Sequence, residues 1–158
     1  MQTKATPAPD AADSSADRRE WLSLLARANP ADLAACLRQA PELPPFTRLR
    51  GPEAGLVMLR GRLGGSGDMF NFGEMTLARC SICDSAGRVG HGYAAGRDLA
   101  EVELIARLDA VLQDPALAAP YRRAVLAPLA AREAARRTAV TARAAATRVD
   151  FFTLATMR

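Results

Sequence analysis

The sequence predicts an α+β fold, a small antiparallel sheet of three or four strands packed by helices, and three observations carry that expectation. Apolar residues recur every three to four positions before residue 41 and again after residue 98, the repeat of helix faces. Between them the repeat shortens to two, which marks strands. At 158 residues the chain is one domain's worth, long enough to bury a core and short for an enzyme that must build a substrate pocket unaided.

Residues 1–14, MQTKATPAPDAADS, carry neither the apolar stretch of a signal peptide nor the Arg-rich pattern of a transit peptide, and they read as a disordered tail before a single domain at 15–158. Ser14 and Ser15 offer N-cap oxygens to a helix with Trp21, Leu22, Leu25 and Ala28 on one face. Asn29 breaks the chain. With Asn29 as cap, Pro30 as first helical residue and Asp32 in the first turn, a second helix presents Leu33, Cys36, Leu37 and Ala40. Pro41, Pro44 and Pro45 end it, completing an N-terminal helical hairpin.

Phe46–Arg50 reads as a short edge strand curtailed by Gly51 and Pro52. From Leu56, residues Val57, Leu59, Gly61 and Leu63 alternate with Met58, Arg60 and Arg62, giving an apolar and a basic face. Runs over 75–83 and 88–95, joined by Asp84, Ser85, Ala86 and Gly87, form a hairpin. Asp98 and Glu101 then stand as a capping box before a helix with Leu104, Ile105, Leu108, Val111 and Leu112 in one stripe and Glu103 paired with Arg107 outside. After Asp114 and Pro115 a linker leads to an Ala- and Arg-rich helix over roughly 128–147, helix-prone but with a weak apolar stripe. The chain closes on an apolar tail, RVDFFTLATMR.

The net charge of +4 is unevenly placed: from Tyr121 onward eight Arg face only Glu133 and Asp150, so that segment is +6 and the rest is −2. Such asymmetry suits nucleic acid, a phosphorylated ligand or an acidic partner, and equally a solvated helix face. Only eight residues are aromatic, so the core is thin and burial against a partner is favoured. Three cysteines without a secretory signal read as reduced thiols in a cytoplasmic protein, and no apolar run is long enough to span a bilayer.

The glycines of Arg60-Gly-Arg-Leu-Gly64-Gly65-Ser-Gly67-Asp68 would let backbone N–H groups approach a phosphate, but the Gly-Lys-Ser/Thr ending of a P-loop is missing. A flexible turn between strands is the plainer reading, with Arg60 and Arg62 keeping an anion site in play. Cys80 and Cys83 have C-x-x-C spacing, yet residues three apart on a strand point to opposite faces, and only Cys36 and His91 remain as further metal ligands. Buried small apolar residues are the better reading, and no metal site is expected. His91, between Gly90 and Gly92, stands in no recognisable triad order, and no catalytic residue is assigned.

Several blocks keep their order through the chain. Arg19-Glu-Trp21-Leu, Leu25-Ala and Asn29-Pro-Ala-Asp-Leu33 come first; then Gly55 to Gly67 with Phe70, Phe72-Gly-Glu74, Thr76 and Arg79-Cys80; then Gly92-Tyr93 and Gly96-Arg97-Asp98; and last Arg148-Val149-Asp150-Phe151-Phe152-Thr153. Together they resemble the PhnG family, the G subunit of the bacterial carbon-phosphorus lyase core complex. The resemblance implies phosphonate catabolism in the cytoplasm. Members act with the H, I and L subunits in displacing adenine from MgATP by an alkylphosphonate, giving a ribose 1-alkylphosphonate 5-triphosphate, and the J subunit later cleaves the carbon-phosphorus bond.

On that basis the chain is a non-autonomous transferase subunit with no cofactor of its own, MgATP being the substrate of the complex and the I subunit the most direct partner. Arg60, Arg62, Gly64, Gly65, Gly67, Arg79, Arg97 and Asp98 are the candidate contacts to substrate or partner, and Arg148 to Thr153 the candidate partner-binding segment. Burial of Phe151 and Phe152 against a partner competes with their folding back onto the domain's own sheet. A nucleic-acid-binding protein is the alternative from another class, but the Arg residues are not interleaved with stacking aromatics. A thiol enzyme built on Cys80 and Cys83 is the third.

Overall fold

The computed structural model describes residues 9–62 and 67–149. The order is α1 (Pro9–Leu25), α2 (Pro30–Leu37), β1 (Phe46–Arg62), β2 (Met69–Asp84), β3 (Val89–Ala95), α3 (Leu99–Leu112), α4 (Pro115–Tyr121), a π-turn (Arg122–Leu126) and α5 (Ala127–Ala146). The strands form one antiparallel sheet in the order β1-β2-β3, so the α+β expectation holds with three strands.

Helix α1 starts at Pro9, so Ser14 and Ser15 lie inside it and not at its cap. Proline is suited to a first helical position, and the Ala-rich stretch behind it sustains a helix. Trp21 and Leu25 are buried, with Leu22 and Ala28 packed beside them, as the spacing requires. Helix α2 follows its sequence signals: Asn29 Oδ1 accepts from Ala31 N at 2.9 Å, Pro30 opens the helix, and Leu33 and Cys36 are buried.

The expected short edge strand and the strand from Leu56 are one continuous β1 running through Gly51 and Pro52. An edge strand tolerates proline where the ladder bulges. The register between β1 and β2 indeed shifts between Arg48 and Arg50 and again between Arg50 and Glu53.

Helix α3 lies across β3 and β2. It comes so close that a Cβ on Gly90 would stand 2.0 Å from Ala106 O, and one on Gly92 1.9 Å from Val102 O. Those two glycines exist to let the helix backbone touch the strand. Asp98 caps α3 by accepting from Ala100 N and Glu101 N, both at 3.0 Å. Val102, Ile105, Leu108, Val111 and Leu112 are buried, whereas Leu104 is only partly so. The expected Glu103–Arg107 pair gives way to longer-range partners: Arg48 Nε donates to Glu103 at 2.7 Å, and Arg107 donates to Leu43 O while lying 4.6 Å over the Phe46 ring.

The stretch expected as a linker is helical. Asp114 caps α4 through Ala116 N, and the helix passes through the π-turn, where Ala127 N reaches Arg122 O, directly into α5. Tyr121, Val125 and Leu129 from this run complete the core. In α5 only Leu129 is buried, which agrees with its weak apolar stripe.

A candidate partner-docking surface

β3 pairs with β2 only from Cys83 back to Leu77, whereas β1 follows β2 out to Met69. Leu56–Arg62 and Met69–Thr76 therefore continue beyond the third strand as a two-stranded arm, about 20–25 Å long at roughly 3.4 Å per residue. Between Leu59 and Arg60 the register shifts, with Leu59 opposite Gly73 and Arg60 opposite Asn71, so Phe72 is a bulged residue without a partner. Its ring lies over Gly61, where an added Cβ would be 2.9 Å from Phe72 Cε1. The Phe70 and Phe72 rings stand 6.2 Å apart and tilted by 60°.

Alternation assigns the two faces. Ala78, Cys80 and Ile82 point toward the helices and are buried, so the intervening Leu77, Arg79, Ser81 and Cys83 point away. Carried outward through the register, the face away from the helices holds Val57, Leu59, Phe70, Phe72 and Met75, and no charged side chain. The other face of the arm holds Leu56, Met58 and Met69 beside Arg60, Arg62 and Glu74. Phe72 is 59 % exposed, Leu56 68 %, and Met58, Met69 and Phe70 are each close to half exposed. Large apolar side chains bared on both sides of one projecting ribbon are unusual for a lone soluble chain.

The described candidate contacts named from sequence lie on different elements, Arg60 and Arg62 on β1, Arg79 on β2, and Arg97 and Asp98 between β3 and α3. Arg60 is exposed on the arm with no ion-pair or hydrogen-bond partner among the described residues. Arg62 donates from Nη1 to Gly67 O at 3.2 Å, closing the base of the loop, while Gly64 and Gly65 lie outside the described residues. Arg79 is held by Glu53 at 2.7 Å, which Arg50 also approaches. Asp98 is spent on capping α3, and Arg97 is exposed beside it. At the C-terminus Arg148 and Val149 are exposed, and Asp150, Phe151, Phe152 and Thr153 lie outside the described residues.

The strand argument about the cysteines holds: Cys80 is buried beneath the helices with Sγ donating to Arg50 O, and Cys83 lies on the opposite face. Burial, and next to it the negative charge of Glu103, push the Cys80 thiol up, away from the reactive thiolate. His91 does acquire a serine, Ser81 Oγ lying 3.0 Å from Nδ1 across the strands. The nearby carboxylate of Asp109 serves the His91 backbone N–H, Arg18 and Trp21 instead of the imidazole, so no triad is assembled. Several C-terminal arginines are likewise engaged, Arg132 with Asp32 and both Arg136 and Arg137 with Glu133.

The sequence reading named Arg60 and Arg62 of the arm but missed its bare apolar residues as a surface. The available signal was the cluster of Met58, Met69, Phe70 and Phe72 around a glycine-rich turn, bulky side chains where a solvent-exposed hairpin is ordinarily polar.

The described residues thus define a small protein built as a one-sided α+β layer with a bare apolar arm. The family model described as "Phosphonate metabolism protein PhnG" matches residues 16–156, and the chain belongs to that family. It is 44 % identical over 139 residues to the alpha-D-ribose 1-methylphosphonate 5-triphosphate synthase subunit PhnG of Rhizobium meliloti (strain 1021), covering 88 % of each chain. No helix among the described residues is long and apolar enough to cross a membrane.

Proposed function

We propose that this chain is a non-autonomous subunit of a ribose 1-methylphosphonate 5-triphosphate synthase acting in phosphonate catabolism in the cytoplasm. The observation that carries the reading is the 44 % identity, along nearly the whole chain, to a subunit of that synthase. In the reaction the bond from the ribose C1′ of MgATP to adenine breaks and a bond from C1′ to a phosphonate oxygen forms, with adenine leaving. The chain's part is to complete and hold the assembly that does this, with the I subunit as its direct partner, the H and L subunits beside it and the J subunit acting downstream.

Two features of the chain support a supporting role. Among the described residues its arginines are spread over separate elements, and several are engaged by carboxylates, Arg50 and Arg79 by Glu53, Arg132 by Asp32, and Arg136 and Arg137 by Glu133, which argues against their gathering on a triphosphate. Among the described residues a conspicuous exposed apolar surface lies on a ribbon and not in a pocket. The Arg148–Thr153 segment, rich in apolar residues, adds a second partner contact.

Co-expression of the H, I and L subunits with and without this chain tests the reading, followed by measurement of complex size and of adenine release from MgATP with methylphosphonate. Adenine release is expected only when this chain is present together with the I subunit. Release by this chain alone, abolished by a point substitution within it, would overturn the non-autonomous role. Full release in its absence would overturn the role altogether.

A further inference from the structure

We propose that the β1–β2 arm is inserted into an apolar cleft of a larger, different subunit of the same assembly, with Arg60 meeting a carboxylate at the cleft's rim. The inference rests on the functional reading above and adds the surface by which that role is exercised.

Three observations carry it. A two-stranded ribbon on its own is marginal in water, so an arm that extends seven residues of β1 and eight of β2 beyond β3 needs cover. The apolar side chains stand on both of its sides, Val57, Phe70 and Phe72 on one and Leu56, Met58 and Met69 on the other. Laying either side on a flat surface leaves the other bare, whereas a cleft covers both. The same geometry disfavours a second copy of this chain, because two arms stacked about a twofold axis shield one side each.

Charge sets the character of the rim. The side bearing Phe70 and Phe72 has no charge to match, while the opposite side carries Glu74, Arg62 with its Nη1 on Gly67 O, and Arg60, exposed and without a partner among the described residues, so that side is basic on balance. A guanidinium carried into an interface needs a carboxylate to offset its desolvation. Specific interfaces take roughly 20–30 residues a side, so the arm is the core of this one and not its whole extent.

The test uses the full chain co-expressed with the other synthase subunits. Amide exchange is followed over 56–62 and 69–76, free and assembled, and three variants are compared: Phe70→Ser with Phe72→Ser, Met58→Ser with Met69→Ser, and Arg60→Glu. Insertion predicts strong protection of both strands only in the assembly. Each double variant should weaken association at least 10-fold and Arg60→Glu should do so measurably, with the melting temperature of the free chain unchanged. Loss from one side only would indicate flat docking and overturn insertion. Protection already present in the isolated chain as a dimer would assign the arm to a second copy and overturn it too. If the unmodified chain fails to join the assembly, the functional reading fails and this inference with it. If arm variants assemble normally without protection, this inference fails alone.

Discussion

Arg18 of α1 grips Asp109 of α3 with both edges of its guanidinium, Nε to Oδ1 at 3.1 Å and Nη2 to Oδ2 at 2.7 Å. Trp21 Nε1 donates to Oδ1 at 2.9 Å and the His91 backbone N–H to Oδ2 at 2.8 Å, so one fully buried carboxylate ties α1, α3 and the edge strand β3 together.

Replacing Asp109 with Ala removes the acceptor of four donor nitrogens, Arg18 Nε and Nη2, Trp21 Nε1 and His91 N, of which only Arg18 Nη2 keeps another acceptor, Val89 O. Breaking a buried pair from one side costs roughly 3–5 kcal/mol, and urea unfolding of Asp109→Ala should show a loss on that scale. A loss under about 1 kcal/mol would mean that the clasp is dispensable. Arg18→Ala should be costly as well, since it leaves the fully buried Asp109 carboxylate without its cation, with only Trp21 Nε1 and His91 N still donating to it.

Gly90→Ala and Gly92→Ala should each destabilise the protein by roughly 1–3 kcal/mol or more, because the new methyl meets the backbone of α3, which cannot rotate away. Gly55→Ala, with open space around it, serves as the control and should be close to neutral in thermal unfolding.

Glu101 is buried in the first turn of α3, and burial, then the charge of Asp98, push its carboxyl up from the ordinary value. A raised carboxyl binds its proton more tightly in the folded state, so its ionisation lowers stability as pH rises through the folded value. Glu101→Gln should therefore raise the melting temperature at neutral pH, and the gain should vanish below about pH 4, where the carboxyl is protonated folded or unfolded. An equal gain at both pH values would sink this account.

Asp84 behaves in the opposite sense. Burial alone would raise its carboxyl, but the hydrogen bonds from Arg88 and Ala86 outweigh burial and hold it below the usual range. Asp114, held chiefly by Ala116 N and then by Arg88, is lowered as well. Their contribution is complete above the unfolded carboxylate value and is lost as pH falls through the folded one. Arg88→Ala should cost on the order of 1–3 kcal/mol at pH 7 and distinctly less near pH 3, as read from denaturant midpoints.

The helix faces were legible because each has one wet and one dry side. Leu33 and Cys36, or Ile105 and Leu108, recur at helical spacing, and Asn29 and Asp98 announce the starts. In the arm the alternation of β1 was legible, Val57 and Leu59 falling on one face and Arg60 and Arg62 on the other, whereas the extension of β2 back to Met69 was not, since no core patterns those residues. The helical continuity after Asp114 was hidden by Pro120, which reads as a breaker and is accommodated in α4 just before the π-turn. Asp109 gave no sign of its role, because its partners lie far along the chain, at Arg18, Trp21 and His91.

The π-turn lets the stretch between Pro115 and Leu129 hold one residue more than an unbroken α-helix would. Each residue added to or removed from a helix rotates everything beyond it by about 100°. The i to i+5 bond encloses one residue more than the α-helical bond, so deleting one residue from Arg122–Leu126 would restore ordinary helical geometry with α5 at nearly the same angle, keeping Leu129 in the core, Arg132 beside Asp32 and Glu133 beside Arg27. Related chains should thus be able to lack one residue of this stretch and run as an unbroken helix into α5, whereas a chain that gains a further residue here should carry a matching deletion before Leu129 that returns α5 to the same angle.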